Sequence, residues 1–151
     1  MHYACILGYG FDCPESHLSL AVELTEILAK KSYGFCAGGY IGIFNAVFTT
    51  AQKNNAPTLL MTDPSEKEVN TSFINTLRIC SSVDNKHDTM VATVDFAVVI
   101  GGGKGSEMLA TKFLKAGKKV FCCRRSGGAA DKITGGIHLD TKELKEALSH
   151  L

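Results

Sequence analysis

The sequence lacks the features that would mark a membrane, secreted or strongly charged protein. No apolar run approaches the ~18 residues needed to cross a membrane. The first residues contain no basic stretch followed by an apolar run, so a secretory signal is not expected. The net charge is only +1, which gives no case for a nucleic-acid-binding surface. We therefore expect a cytoplasmic protein with neither membrane nor nucleic acid as a partner.

Metal-binding and redox spacings of cysteine are also missing. The chain has six cysteines but no C-x-x-C, and no His/Cys spacing typical of zinc. Five of them lie in or beside apolar, strand-like runs, and only Cys13 falls in a loop. This pattern favours reduced cysteines used as small core residues. We predict no metal site and no required cofactor, and Cys13 is the candidate if the protein has a reactive thiol.

The order of predicted elements indicates an α/β protein. With 151 residues and 45% hydrophobic content, the chain suits one domain spanning residues 1–151. Strands alternate with helices throughout, which predicts a three-layer Rossmann-like fold, a parallel sheet with helices on both faces. The predicted strands are Tyr3–Leu7, Tyr33–Ala37, Thr58–Met61, Leu77–Ser81, Phe96–Ile100 and Val120–Cys123. The first predicted helix is entered at Asp12–Glu15 and has Lys30 and Lys31 in its last turn. The other predicted helices cover Ile43–Lys53, Asn85–Thr93 (capped by Asp84), Ser106–Ala116 and Thr141–Leu151. Residues 124–136 are predicted to form a loop.

Glycines cluster where three of these strands end. In a parallel sheet all three places fall on one edge, the carboxyl edge. The strongest cluster follows Phe96–Ile100, where four glycines occur within five residues before Ser106. Glycines let a backbone approach a ligand closely, and the free N–H groups of a helix start bind anions. We predict a phosphate site formed by Gly8, Gly38, Gly39, Gly42, Gly102, Gly103, Lys104, Gly105 and Ser106.

The polar residues of these loops allow more than one interpretation. Ser106 could cap its helix or contact a phosphate, and Lys104 could add positive charge or be solvated. Glu107 could be a partner of the helix dipole, a ribose contact or an acid/base. Lys86 and His87 begin the preceding helix and could face the same edge or solvent. Neither a Walker A motif nor a complete G-x-G-x-x-G is present, because Cys13 stands at the third glycine position of the first loop.

Two of the glycine loops resemble those of the LOG-like proteins, often labelled "possible lysine decarboxylase", of the SLOG superfamily. Their Gly-Gly-Gly-x-x-Gly-x-Met loop is similar to residues 37–44, Ala-Gly-Gly-Tyr-Ile-Gly-Ile-Phe. Their Pro/Gly-Gly-Gly-x-Gly-Thr-x-x-Glu motif is similar to residues 101–109, Gly-Gly-Gly-Lys-Gly-Ser-Glu-Met-Leu. Between the two motifs, Lys86, Met90 and Val94-Asp95 stand at matching distances. The resemblance covers about residues 3–123 and is closest to short members, some of which are described as molybdenum-cofactor carriers.

The resemblance implies a homodimer that binds a nucleotide or a nucleotide-derived phosphate. Enzymes of the family cleave the N-glycosidic bond of a nucleoside 5′-monophosphate with an arginine and the last glutamate of the second motif. Here Lys86 replaces the arginine and Leu109 replaces the glutamate, while Glu107 lies about 200° away around the helix. Lysine cannot copy the planar fork of arginine, and leucine transfers no proton.

We therefore expect a small-molecule binding or sensing protein for a nucleotide-like ligand. One alternative is a nucleoside 5′-monophosphate N-glycoside hydrolase, with Glu107 and Lys86 as its catalytic residues. A further alternative is a molybdenum-cofactor carrier.

Overall fold

The computed structural model describes residues 1–66, 72 and 74–151. Seven parallel strands form one sheet in the order β4-β3-β2-β1-β5-β6-β7. The strands are β1 His2–Gly8, β2 Tyr33–Ala37, β3 Thr58–Thr62, β4 Thr76–Ile79, β5 Phe96–Ile100, β6 Lys119–Cys123 and β7 Ile137–Leu139. The helices are α1 Glu15–Ala29, α2 Ile43–Lys53, α3 Val83–Thr93, α4 Lys104–Lys115, α5 Gly128–Lys132 and α6 Thr141–Ser149.

Helices cover both faces of this sheet, so the predicted α/β, three-layer fold is confirmed. One core lies under α1, α2 and α6 and contains Leu24, Phe35 and Val98. The other lies under α3, α4 and α5 and contains Met90, Val99 and Phe113. Strand β5 is buried along its whole length, which explains why its sequence is a continuous apolar run instead of an alternating one.

Several element boundaries differ from the sequence-based expectation. Helix α4 begins at Lys104, with Gly103 as N-cap, so Ser106 lies inside the first turn. Helix α3 begins at Val83 because the Ser82 hydroxyl accepts a hydrogen bond from the Asn85 N–H, the capping role predicted for Asp84.

The predicted loop 124–136 is also more ordered than expected. It contains the short helix α5 and is followed by strand β7, which pairs with β6. Both elements are too short and too polar to give a periodic signal in the sequence, and they form because β6 and the β5–α4 loop supply hydrogen-bond partners.

The strand order reverses between β1 and β5. From β1 the chain adds β2, β3 and β4 on one side, then crosses to β5 and adds β6 and β7 on the other. The loops after β1 and β5 consequently diverge to opposite faces of the sheet and leave a crevice at its carboxyl edge. Open α/β sheets bind their ligands at such a switch point.

Across the described residues, none of the helices has both the length and the apolar character that a membrane crossing requires.

Candidate ligand-binding site

A cavity of about 530 Å³ occupies this crevice. Its walls come from the loops after β1, β2 and β5 and from helices α2, α3 and α4. Most of the lining side chains are apolar, and the polar ones belong to Tyr9, Lys86, His87 and Ser106. The lining consists of Leu7, Gly8, Tyr9, Gly10, Phe11, Gly38, Phe44, Lys86, His87, Met90, Gly103, Gly105, Ser106 and Leu109.

The N-terminus of α4 opens onto the cavity without a side chain over it. No side chain of the described residues caps this helix, whose N-cap is Gly103. A Cβ added to Gly103 or Gly105 would meet no atom within 4 Å. The N–H groups of a helix's first turn have no partners inside the helix and carry the positive end of its dipole. This end of the cavity can therefore bind an anion through backbone groups alone.

Helix α5 stabilises the turn between β5 and α4 through backbone hydrogen bonds. Gly101 and Gly102 have φ angles of 59° and 96°, a region that favours glycine. The Ala130 N–H donates to the Gly101 carbonyl at 3.0 Å, and the Ala129 N–H donates to the Gly102 carbonyl at 2.8 Å. The Gly101 N–H donates to the Ser126 hydroxyl at 2.8 Å. The helix start is thus fixed before any ligand arrives.

The other predicted residues of the β5–α4 segment have different positions. The Ser106 hydroxyl is buried and donates to the Gly8 carbonyl at 3.3 Å, so it ties two glycine loops together. Lys104 is exposed and does not line the cavity. Glu107 lines a separate cavity with Thr111, Leu114, Lys115, Lys132, Ile133 and Thr134. Leu109, at the glutamate position of the resembling enzymes, lines the main cavity.

The glycines after β2 are packed against protein. A Cβ on Gly42 would lie 2.3 Å from the Gly10 carbonyl oxygen, and one on Gly39 would lie 3.0 Å from the Phe44 ring. A Cβ on Gly38 would lie 3.2 Å from the sulfur of Met90, although Gly38 also lines the cavity. Gly8, at the end of β1, lines the cavity between Ile43 and the Ile100 carbonyl. Gly39, Gly42 and Gly102 do not line it.

Lys86 lies in the wall of the cavity with its ammonium group already paired. Its Nζ is 2.8 Å from Asp63 Oδ2, 3.3 Å from Glu66 Oε1 and 3.2 Å from the Gly38 carbonyl oxygen. The Gly38 carbonyl and the Glu66 carboxylate accept hydrogen bonds from this ammonium group, and Asp63 forms an ion pair with it. The Lys86 ammonium and the Ser65 hydroxyl lower the pKa of Asp63 to about 2. Lys86 therefore joins α3 to the segments after β2 and β3, and two carboxylates already balance its charge.

His87, the next residue of α3, has no such partner. Its side chain is 9% exposed and lines the cavity, and its Nδ1 has no hydrogen-bond partner among the described residues. Burial, followed by the neighbouring charges of Lys86 and Lys112, lowers its pKa. From the sequence alone, His87 could face either this edge of the sheet or solvent, because only packing shows which way a helix residue faces.

Tyr9 forms part of the cavity wall opposite α3. Its ring stacks on the buried His17 ring, with centroids 6.0 Å apart and planes 16° apart. Both rings pack over Gly101: a Cβ there would lie 2.6 Å from His17 and 2.7 Å from Tyr9. A Cβ on Gly128 would touch the Tyr9 hydroxyl. Tyr9 is thus held in place by positive-φ glycines, whereas Tyr40 lines a separate cavity beside α2.

The cysteines are all free, and five are buried. Burial and the nearby Glu15 carboxylate raise the pKa of the partly exposed Cys13, which is the opposite of what activates a thiol. In the described ranges, no cluster of three or more His, Cys, Asp or Glu side chains is placed to hold a metal ion.

The fold and the cavity together define a Rossmann-like α/β protein with an uncapped helix N-terminus at the switch point of its sheet. The SLOG cluster4 family model matches residues 1–149. The chain therefore belongs to the SLOG cluster4 family, which confirms the SLOG superfamily assignment made from the two loops.

Several solved structures share this fold. TM1055, a structural-genomics target, superposes with a TM-score of 0.84 at 20% identity and full coverage of both chains. The molybdenum cofactor carrier protein of Chlamydomonas reinhardtii gives a TM-score of 0.75 at 17% identity, covering 99% of this chain and 96% of the other. At these identities the likeness concerns the fold. No curated protein is significantly similar in sequence.

One similar structure corrects an expectation drawn from composition. DNA processing protein A from Helicobacter pylori, described for its single-stranded DNA binding mode, has a TM-score of 0.66 at 14% identity, covering 97% of this chain and 80% of the other. Because a protein with this fold binds single-stranded DNA, excluding nucleic acid as a partner on the basis of net charge was wrong. Net charge averages over the whole surface, whereas nucleic-acid binding depends on local groups.

Proposed function

We propose that the protein binds a small nucleotide or nucleotide-derived ligand through its phosphate, as a binding or sensing protein. The observation that carries this proposal is the uncapped N-terminus of α4, which opens onto the cavity between Gly103 and Gly105. Backbone N–H groups at a helix start suit a phosphate, and the absence of Cβ atoms lets it come close.

The rest of the cavity supports a ligand with a flat, largely apolar part. Phe11, Phe44, Met90 and Leu109 form apolar walls, and the ring of Tyr9 is fixed by its stacking on His17. Ligand pockets of this size combine apolar walls with a few placed polar groups. A base joined to a sugar phosphate matches both parts of the cavity.

The positions of the two predicted catalytic residues support binding without cleavage. Glu107 lines a different cavity, and Leu109 stands in the wall where a carboxylate would have to act. The Lys86 ammonium is held by Asp63 and Glu66. The LOG-like activity, hydrolysis of the N-glycosidic bond of a nucleoside 5′-monophosphate, remains the alternative to be tested directly.

The molybdenum-cofactor carrier is the second alternative. That cofactor also joins a heterocycle to a phosphate, so the apolar walls and the end of α4 suit it as well. The fold shared with carrier proteins supports the comparison. Measuring molybdenum and pterin in protein purified under reducing conditions distinguishes this ligand from a nucleotide.

Binding and cleavage are separated by two measurements on the same sample. Calorimetric titration and thermal melting with AMP, ADP-ribose and related phosphates test binding; ligand at 100 times its Kd raises the stability by about 2.7 kcal/mol. Chromatography of the AMP incubation then detects free adenine. We expect a stability gain without adenine release. Release that is lost in Glu107→Ala would contradict the binding proposal, and no response to any phosphate ligand would reject it.

Three further expectations stay predictions: the homodimer that the resemblance implies, the single domain over residues 1–151 expected from chain length, and the cytoplasmic location expected from composition. Sedimentation of the purified chain measures the first.

A further inference from the structure

His87 lines the cavity, and a buried nitrogen of its ring has no hydrogen-bond partner within the described protein. Of the other polar lining residues, Lys86 forms an ion pair with Asp63 and donates to Glu66 and Gly38, Ser106 donates to Gly8, and the Tyr9 ring stacks on His17. His87 is only 9% exposed, and its Nδ1 has no hydrogen-bond partner among the described residues. Leaving a buried polar group unpaired costs about 1–3 kcal/mol. Because His87 also lines the cavity, a ligand bound there can supply a partner for its ring.

The charges around His87 are paired with one another. On its own helix, Asp84 and Asp88 lie 3.6 Å and 2.9 Å from Lys112 of α4. Lys86 is paired with Asp63 and Glu66, which follow β3. The positive charges that disfavour a proton on His87 therefore already have carboxylate partners, and none of these carboxylates contacts the imidazole. An anion in the cavity would change this balance directly.

We propose that His87 is a ligand contact that takes up a proton when an anionic group binds at the N-terminus of α4. This inference rests on the proposed function. The imidazole is neutral in the free protein and becomes an imidazolium that pairs with the bound phosphate. The step is a proton transfer: the imidazole gains one N–H bond, and hydronium or a buffer acid loses that proton. Ligand affinity therefore rises as the pH falls through the range in which the free imidazole is still neutral.

Proton uptake by one named residue can be measured directly. Histidine labelled with 13C at Cε1 gives one signal for each of the five histidines, and the spectrum of His87→Gln identifies the His87 signal. We expect AMP to raise the midpoint of the His87 titration, whereas adenosine, which has no phosphate, leaves it unchanged. Calorimetry at pH 6.5 in buffers of different ionisation enthalpy should give a larger proton uptake for the wild type than for His87→Gln, by linkage.

Two variants separate the proton from the contact. His87→Gln keeps a hydrogen-bonding side chain but does not titrate. AMP binding to this variant should therefore lack the proton uptake of His87, and its AMP affinity at pH 6 should be about tenfold lower than that of the wild type. His87→Asn is a second test if the glutamine does not fit, and melting curves establish that each variant is folded. His150→Gln, in the exposed terminal turn, is the matched control and should behave as wild type.

The possible results distinguish this inference from the proposed function. If AMP binds while the His87 titration is unmoved and His87→Gln binds equally well at pH 6, the inference is overturned and phosphate binding stands. If neither AMP nor any other phosphate ligand binds, both are overturned. If AMP moves the His87 titration and His87→Gln loses both the proton uptake and about tenfold in affinity at pH 6, the inference is supported.

Discussion

The two glycine loops look alike in sequence but use their glycines differently. In the loop after β2, a Cβ on Gly42 would lie 2.3 Å from the Gly10 carbonyl oxygen, and Gly39 packs on Phe44. In the loop after β5, Gly103 and Gly105 face open space inside the cavity. The first loop lets protein segments approach one another, whereas the second leaves room for a ligand. A glycine-rich motif can therefore serve packing or binding, and the space around the missing Cβ distinguishes the two.

The largest effect on stability should come from adding a side chain to the loop after β2, called here the packed loop because its glycines contact other protein segments. Gly42 has φ 59° and ψ −124°, a conformation that other residues avoid, and its Cβ would overlap backbone that cannot move independently. We expect Gly42→Ala to lower the free energy of unfolding by more than about 3 kcal/mol, measured by urea denaturation. Gly117→Ala is the control, because Gly117 also has positive φ but has open space around it. Equal losses in both variants would mean that backbone strain, without the overlap, explains the effect.

A similar loss is expected when the ion pair behind the packed loop is broken. Asp63→Asn removes one partner of the buried Lys86 ammonium and should lower the stability by about 3 kcal/mol. Asp95→Asn, which removes a half-exposed carboxylate paired with His2, is the control and should have a much smaller effect.

The Lys86–Asp63 ion pair also predicts how the free energy of unfolding depends on pH. The pKa of Asp63 is about 2 when folded and 3.8 ordinarily, so its contribution is complete above pH 3.8 and is lost as the pH falls from 3.8 toward 2. Asp63→Asn should lack this part of the wild-type stability profile. A profile unchanged by the substitution would show that other carboxylates determine the acid transition.

In the open loop, a side chain should affect the ligand and spare the fold. Gly103 has an extended backbone, with φ −97° and ψ −159°, that valine adopts readily. We expect Gly103→Val to change the stability by no more than about 1 kcal/mol and to weaken AMP binding at least about tenfold, as measured by calorimetry. Full AMP affinity in a folded variant would mean that the glycines of the loop after β5, like those after β2, do not contact the ligand.

The smallest effect should come from Gly105, the second residue of α4. Alanine is a better helix former than glycine, and its Cβ would meet no atom within 4 Å. Gly105→Ala should raise the stability by up to about 1 kcal/mol while weakening AMP binding. A loss of stability would mean that the Cβ meets other atoms, and hence that Gly105 does not face open space.

The regular elements could be predicted because their signals are local. Strands β2 and β5 and helix α2 have the predicted boundaries, since continuous apolar runs and helical spacing depend on neighbouring residues. Helix α5 and strand β7 could not, because they depend on partners far away in the chain. The contacts of Ala129 and Ala130 with Gly102 and Gly101 are an example.

The candidate site was predictable only as a set of loops. The glycine clusters indicated the carboxyl edge and an anion, and the structure brings Gly8, Gly38, Gly103, Gly105 and Ser106 to one cavity. It also separates Glu107 from that cavity and pairs Lys86 with Asp63 and Glu66. Ion pairs between distant segments have no signal in a single sequence, so the charge available to a ligand could not be known in advance.

By itself the sequence determined the layered fold, the edge where the loops meet and the two glycine motifs, because local propensity and apolar periodicity specify them. Only the tertiary structure decided which glycines border empty space and which polar groups remain unpaired. Both properties depend on what neighbouring segments place within a few ångströms. The open end of α4 and the uncommitted imidazole of His87 are products of that packing.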